Sequence, residues 1–337
     1  MADYPTAIRR AALAASRLHR DLGIQAMAIR NHGRIDVYHT IDQLGVPLMF
    51  AKLQGLLGAY YRDPTPGVLV TTERPLRQQR FTAAHELGHH YLGHAPSLDG
   101  EDILRRIPFA AAAGDNLQEV EAESFAASFL LPRWLVSWHF TRQGWTDAHL
   151  IDPHNVYQLA LRVGTSFLST VWTLHRYKVL DYRTASEMAQ LKLRTIKEQL
   201  LRDFEPKDYR GDVWRLTARD AGLRIEGEQS DLLVVELGEQ SGAGYLWAFE
   251  NADEGVSVVS DGRASPADGS VGGPTTRRIT AAIRSPVAGV LRLAQRRPWQ
   301  PSAPLETFAI DYSLIGGQPA GWYWEQRCQH RQALEAA

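Results

Sequence analysis

The sequence predicts an α+β, multidomain protein: a mostly helical front with a small β element, followed by an all-β sandwich. Three observations carry this reading. Helical periodicity with recognisable caps runs to residue 205, short alternating apolar runs at roughly ten-residue spacing fill residues 213 to 313, and 337 residues exceed one small core.

In the front half, residues 5–22 read as one helix ended by Gly23. Ile35-Asp36-Val37 then leads into 41–44, stopped by Gly45, and 46–50 and 67–71 are short strands. Residues 79–92 form a helix. A second spans 117–131 and stops at Pro132, which cannot continue the hydrogen-bond ladder. Two further helices, 154–163 and 167–177, meet at Gly164-Thr165-Ser166. After Pro206, strands are expected at 223–225, 232–237, 245–249, 256–259, 278–283, 290–294 and 308–312, with a Gly- and Pro-rich loop over 261–274. This divides the chain into 1–150, a helical extension 151–205, a β domain 211–315, and a tail 316–337 without assignment.

Composition excludes several classes. With 44% apolar and 22% charged residues and a formal net charge of -1, the chain has no overall electrostatic reason to bind nucleic acid or an anionic membrane. Cys328 is the only cysteine, so no internal disulfide forms, which fits a reducing cytoplasm. No apolar run approaches the ~20 residues that cross a bilayer. Arg9-Arg10 before an Ala-Ala-Leu-Ala-Ala run has the start of an export signal, but the run ends at Ser16-Arg17 and reads as an amphipathic helix. A cytoplasmic location is expected.

The chemistry lies in residues 84–93, A-H-E-L-G-H-H-Y-L-G. On a helix, His85 and His89 stand one turn apart on one face and can share a Zn²⁺ ion. Glu86 then lies within reach of a water on that ion. A catalytic zinc usually takes three protein ligands and leaves a position for water. The pattern H-E-x-x-H-x-x-G-x-x-H fails here, because its last two fixed positions hold Leu92 and Ala95. His94 misses by one residue and, on a continuing helix, points away from His85. Glu119 and Glu123, one turn apart on the next helix, offer the third ligand. One can bind the metal while the other holds a ligand histidine by its outer ring nitrogen. Glu121 points elsewhere in a regular helix.

Arg80-Phe81-Thr82-Ala83-Ala84-His85-Glu86-Leu87-Gly88-His89-His90, then Glu119-x-x-Ala122-x-x-Phe125-Ala126-Ala127 and Leu130-Leu131-Pro132, resembles the ImmA/IrrE family of metallopeptidases. Ile35-Asp36-Val37, Leu44-Gly45-Val46 and Gly58 match its lead-in, and the resemblance covers residues 7 to 185. It implies a zincin-like peptidase domain with zinc held by His85, His89 and Glu119 and with Glu86 as general base. Glu123 stands where the family usually has asparagine, and as an acid it keeps the supporting role toward a ligand histidine. Tyr91, His149 and His154 are candidates for stabilising the oxyanion. The resemblance further implies action inside bacteria on helix-turn-helix repressors, in stress response or mobile-element induction, so such a regulator is the expected protein partner. Residues 157–168 themselves resemble a helix-turn-helix; the other reading is a plain helical hairpin, since no dense basic face is visible.

In the β half, Gly244-Tyr245-Leu246-Trp247, Val271-Gly272-Gly273 and Arg296-Arg297-Pro298-Trp299 follow the order of chagasin-like inhibitors of papain-type cysteine proteases. That resemblance implies an immunoglobulin-like sandwich with Trp247 as buried anchor. Arg297 and Trp299 then sit in an exposed loop suited to a protein partner. The first inhibitory loop is Gln240-Ser241-Gly242-Ala243-Gly244 in place of Asn-Pro-Thr-Thr-Gly, so the fold is expected without the inhibition. Together these features predict a zinc endopeptidase joined to a β domain that recruits or senses a partner. The alternative is a non-proteolytic regulatory protein built on a degenerate peptidase scaffold.

Overall fold

The computed structural model describes residues 3–100, 116–202, 204–250, 255–264, 275–285, 287–300 and 303–335. The chain divides into two compact units, Met1–Ala189 with Gly317–Ala337, and Gln190–Gly316. The helical extension therefore belongs to the first unit as far as Ala189.

The first unit begins with α1 (Tyr4–Asp21), α2 (Ile24–Arg30) and α3 (Val37–Gln43), then β1 (Leu48–Ala51), β2 (Leu56–Tyr61) and β3 (Gly67–Thr71). Next come α4 (Leu76–Leu92), β4 (Ser97–Gly100), α5 (Leu117–Leu130), α6 (Arg133–Gln143), α7 (Pro153–Val163), α8 (Phe167–Arg176) and α9 (Tyr182–Ala189). Asp3 caps α1 by accepting the Thr6 N–H, and Ala7, Ala11, Ala14, Ala15 and Leu18 form its buried stripe. That stripe packs on α5, and α5 packs on α4.

Nearly every residue of α4 from Gln79 to His89, and of α5 from Val120 to Leu130, is buried. Helices buried all round have no polar face to spare. Charged and polar residues inside them must find a partner or bind something. Gly88 lets the two axes approach, because a Cβ there would lie 3.2 Å from the Ala122 Cα. In α8 every residue is buried or half-buried. α7 and α8 pack on each other as a helical hairpin.

His19, buried on α1, donates from Nε2 to the Phe129 carbonyl at 3.0 Å. Burial outweighs that bond and lowers its pKa to about 4 from 6.5. In the unfolded chain the ring takes its proton first, so this stability is complete above pH 6.5 and lost as pH falls toward 4. The loss expected is about 3 kcal/mol. Thermal unfolding of His19→Gln between pH 7 and 4 should show a correspondingly flatter decline than wild type. An unchanged slope would remove His19 from the acid transition.

The second unit holds α10 (Leu193–Leu201), β5 (Val213–Thr217), β6 (Arg224–Glu226), β7 (Leu232–Glu239), β8 (Leu246–Phe249), β9 (Val256–Ala264), β10 (Thr275–Ile283), β11 (Ala288–Arg296) and β12 (Glu306–Ser313). Two four-stranded sheets run β5-β7-β10-β9 and β6-β12-β11-β8. Each is mixed, since β5 pairs with β7 and β6 with β12 in parallel. Trp247 is buried and donates from Nε1 to the Gly238 carbonyl of β7 at 2.7 Å, tying one sheet to the other. The unit is not purely β. α10 joins it through buried Lys197, which meets Asp212 at 3.3 Å and the Tyr209 carbonyl at 3.0 Å. The loop expected at 261–274 starts later, because Asp261 to Ala264 continue β9 in register with β10. Val271-Gly272-Gly273 lies outside the described residues.

The tail returns to the first unit as β13 (Gly321–Trp322) and α11 (Trp324–Glu335). β13 pairs antiparallel with β1 and completes a five-stranded sheet, β13-β1-β3-β2-β4. Gln326 secures α11 by accepting the Leu48 N–H at 2.8 Å and donating to the Val46 carbonyl at 2.9 Å. Glu325 meets His39 Nδ1 at 2.8 Å.

Candidate metal centre

His85, Glu86 and His89 lie on α4 with no exposed surface. The two Nε2 atoms face each other at 3.1 Å. Glu119, in the first turn of α5, brings Oε2 to 3.3 Å from His85 Nε2 and Oε1 to 3.6 Å from His89 Nε2. A fourth donor arrives from β4: Asp99 Oδ2 lies 3.2 Å from His85 Nε2 and 4.0 Å from His89 Nε2. One donor atom from each of these four residues lies within 4.8 Å of every other. Four ligands on a tetrahedral zinc at ~2.0 Å stand about 3.3 Å apart, so the spacing suits that ion. Asp99 Oδ2 is also buried without a hydrogen-bond partner. A set of two imidazoles and two carboxylates converging on one point fits a divalent cation.

The charges agree. Burial lowers the pKa of His85, but the Asp99 and Glu119 carboxylates overcome it and raise the ring to about 9. Burial, then the neighbouring rings of His85 and His94, lower His89 to about 3. Burial raises the Asp99 carboxyl, yet His85 holds it down at about 2. Glu86 is set apart from the four. Its carboxyl is buried, and burial first, then the neighbouring Asp99 and Glu119, pushes it well above the usual range. The space it occupies exists because residue 58 on β2 is glycine; a Cβ there would collide with Glu86 Oε1.

Two sequence expectations change around this centre. His94 does not continue the phase of α4, because Gly93 (φ +71°) ends the helix and turns the chain. His94 folds back instead, with Nδ1 3.0 Å from His89 Nδ1 and Nε2 2.9 Å from Glu121 Oε2. The expected support from Glu123 is not what holds the histidines. His89 Nδ1 is taken by His94, and His85 Nδ1 is buried with no hydrogen-bond partner. Glu123 is buried elsewhere on α5. Asp99 was absent from the sequence reading, although an acid in a strand-like Ser97-Leu98-Asp99 soon after the motif helix was a usable signal.

Of the three oxyanion candidates, His149 and His154 are not among the four converging donors. Tyr91 packs its ring on Phe125, His149 accepts the Thr146 N–H, and His154 Nδ1 meets Asp152 at 2.6 Å. In the second unit, Trp299 is 70% exposed. Arg297 stacks over the Tyr245 ring at 4.6 Å and donates to the Ala243 carbonyl at 3.1 Å. These contacts brace the 297–299 loop against the loop at 240–245.

Residues 41–174 match the family model described as IrrE N-terminal-like domain, and residues 226–312 match that of the chagasin family peptidase inhibitors, I42. A comparison with curated proteins finds no match. Among solved structures, the chain is similar to the cysteine protease inhibitor EhICP2 from Entamoeba histolytica, at 19% identity over 32% of this chain and 98% of that one, TM-score 0.28. It is similar to amebosin at 23% identity, over 30% of this chain and 96% of that one, TM-score 0.26. PbICP-C, solved in complex with falcipain-2, is 14% identical over 33% of this chain and 96% of that one, TM-score 0.20. The chain thus joins a segment that matches IrrE N-terminal-like domains to one that matches chagasin-family inhibitors.

Proposed function

We propose that this chain is a zinc-dependent endopeptidase that acts in the cytoplasm on one protein or a few, a helix-turn-helix regulator being the foremost candidate, and that its chagasin-like unit recruits the substrate or a regulator. The observation that carries the peptidase reading is the fully buried Glu86 carboxyl beside four converging metal donors. His85, His89 and Glu119 are the proposed ligands. When bound, zinc supplies Lewis acidity toward a carbonyl and makes a coordinated water acidic near neutral pH. Glu86 takes the proton from the attacking water and delivers it to the leaving amide nitrogen. Asp99 would stand beside the three ligands as a further carboxylate facing the ion.

Asp99 also supports the second reading. If it stays as a fourth protein ligand, the centre is closed like a structural zinc site, and the chain is a binding protein. Cleavage of any protein by the wild type rejects that alternative.

For the β unit, the braced Arg297–Trp299 loop offers an aromatic beside a guanidinium, a pairing enriched among interface hot spots, and Pro298 limits the entropy lost on docking. The expected result is that Trp299→Ala keeps zinc content and fold but slows cleavage of the native substrate at least about tenfold, a hot-spot loss of ~1.4 kcal/mol or more. Purified helix-turn-helix proteins encoded beside the gene are the substrates to test. Cleavage of casein alone, with no such protein cut, contradicts the specificity. Equal cleavage by wild type and Trp299→Ala removes the loop from recognition.

A further inference from the structure

The zinc reading leaves a chain of three residues behind His89 without a role. Arg10 Nη1 on α1 donates to Glu121 Oε1 at 3.2 Å. Glu121 Oε2 meets His94 Nε2 at 2.9 Å, and His94 Nδ1 meets His89 Nδ1 at 3.0 Å. His94 is 5% and Glu121 6% exposed, so water does not substitute for these bonds. His85 has nothing comparable, because its Nδ1 is buried with no hydrogen-bond partner.

The protons in this chain can be assigned one by one. A histidine that offers Nε2 to a cation carries its single ring proton on Nδ1. His89 Nδ1–H then donates to His94, whose Nδ1 must accept. Neutral His94 keeps its own proton on Nε2 and donates it to Glu121. An ionised carboxylate only accepts, and its second oxygen takes the Arg10 guanidinium. Every donor meets an acceptor. With the proton on His89 Nε2 instead, a hydrogen points into the donor cluster and both facing Nδ1 atoms compete to accept.

We infer that His94 is a positioning residue that fixes His89 in the tautomer able to bind a metal, and that Glu121, anchored by Arg10, fixes His94. The inference rests on the zinc reading of the cluster. It assigns a purpose to Glu121 that its place on α5, away from Glu119, does not suggest. Groups of this kind behind a ligand histidine typically change metal affinity 10- to 100-fold.

The test is zinc affinity of the full chain, by competition with a chromophoric chelator, for wild type, His94→Leu and His94→Gln. His94→Leu should bind zinc about 10- to 100-fold more weakly. His94→Gln should stay within about threefold, because its amide oxygen accepts from His89 and its amide nitrogen donates to Glu121. Equal affinity of wild type and His94→Leu overturns the inference while leaving the zinc reading intact. Equal weakness of both variants also overturns it, since the hydrogen-bond pair is then not the cause. A wild type that takes up no zinc overturns both readings. A second measurement does not depend on the variants folding: in the ¹⁵N spectrum of the zinc-loaded wild type, His89 should be protonated at Nδ1 and coupled across the hydrogen bond to His94 Nδ1. A proton on His89 Nε2, or no such coupling, contradicts the inference.

Discussion

Glu86→Gln is expected to slow peptide cleavage by about 10²- to 10⁴-fold, the range that a positioned general base contributes, while zinc content stays at the wild-type level. The direction follows from where Glu86 lies. It is fully buried on α4 beside the cluster, yet it is not among the four residues whose donor atoms converge. Glutamine keeps the volume that Gly58 leaves for this side chain but cannot accept a proton. The raised pKa of Glu86 comes from burial and from the anions Asp99 and Glu119. A cation neutralises those anions and restores the carboxylate, so base and metal are expected to act together. Zinc content is read by atomic emission and cleavage by gel. Near wild-type cleavage by Glu86→Gln would refute the assigned base, and loss of zinc would make Glu86 a ligand.

Removing the metal is the second large effect. A ligand that binds only the folded state adds about 4 kcal/mol when it is present at a thousand times its Kd. Chelation should therefore lower the thermal midpoint of the first unit sharply, and added zinc should restore it. Glu119→Ala should abolish the zinc-dependent part of that shift, because it removes a donor that faces both His85 and His89. A midpoint unmoved by chelator in the wild type would show that no metal stabilises the fold.

What could be read from the sequence was local. His85, Glu86 and His89 lie within one helical turn and a fraction, so spacing alone places them together. The phase of the second helix narrowed the third donor to Glu119 or Glu123 and the family resemblance chose Glu119, while the short strands of 213–313 followed from alternation. What escaped was set by distant partners. Asp99 owes its position to β4 pairing with β2, and a four-residue strand carries little signal of its own. The two-residue β13 pairs with β1 across most of the chain, which no local pattern encodes. The parallel partners of β5 and β6 were missed for the same reason. His94 stays out of the donor cluster as expected, but by a left-handed turn at Gly93 that folds it back toward His89 rather than by helical phase. Buried helices α4 and α5 were found by motif and cap rather than by amphipathicity, since neither has an exposed face.

The central claim is that these residues bind zinc in order to cut protein, and its most direct test is metal analysis of the purified full chain, wild type against Glu119→Ala. The account predicts about one zinc ion per wild-type chain and little or none in Glu119→Ala. Wild-type protein free of zinc after purification and unable to take it up, or full zinc occupancy in Glu119→Ala, would contradict it.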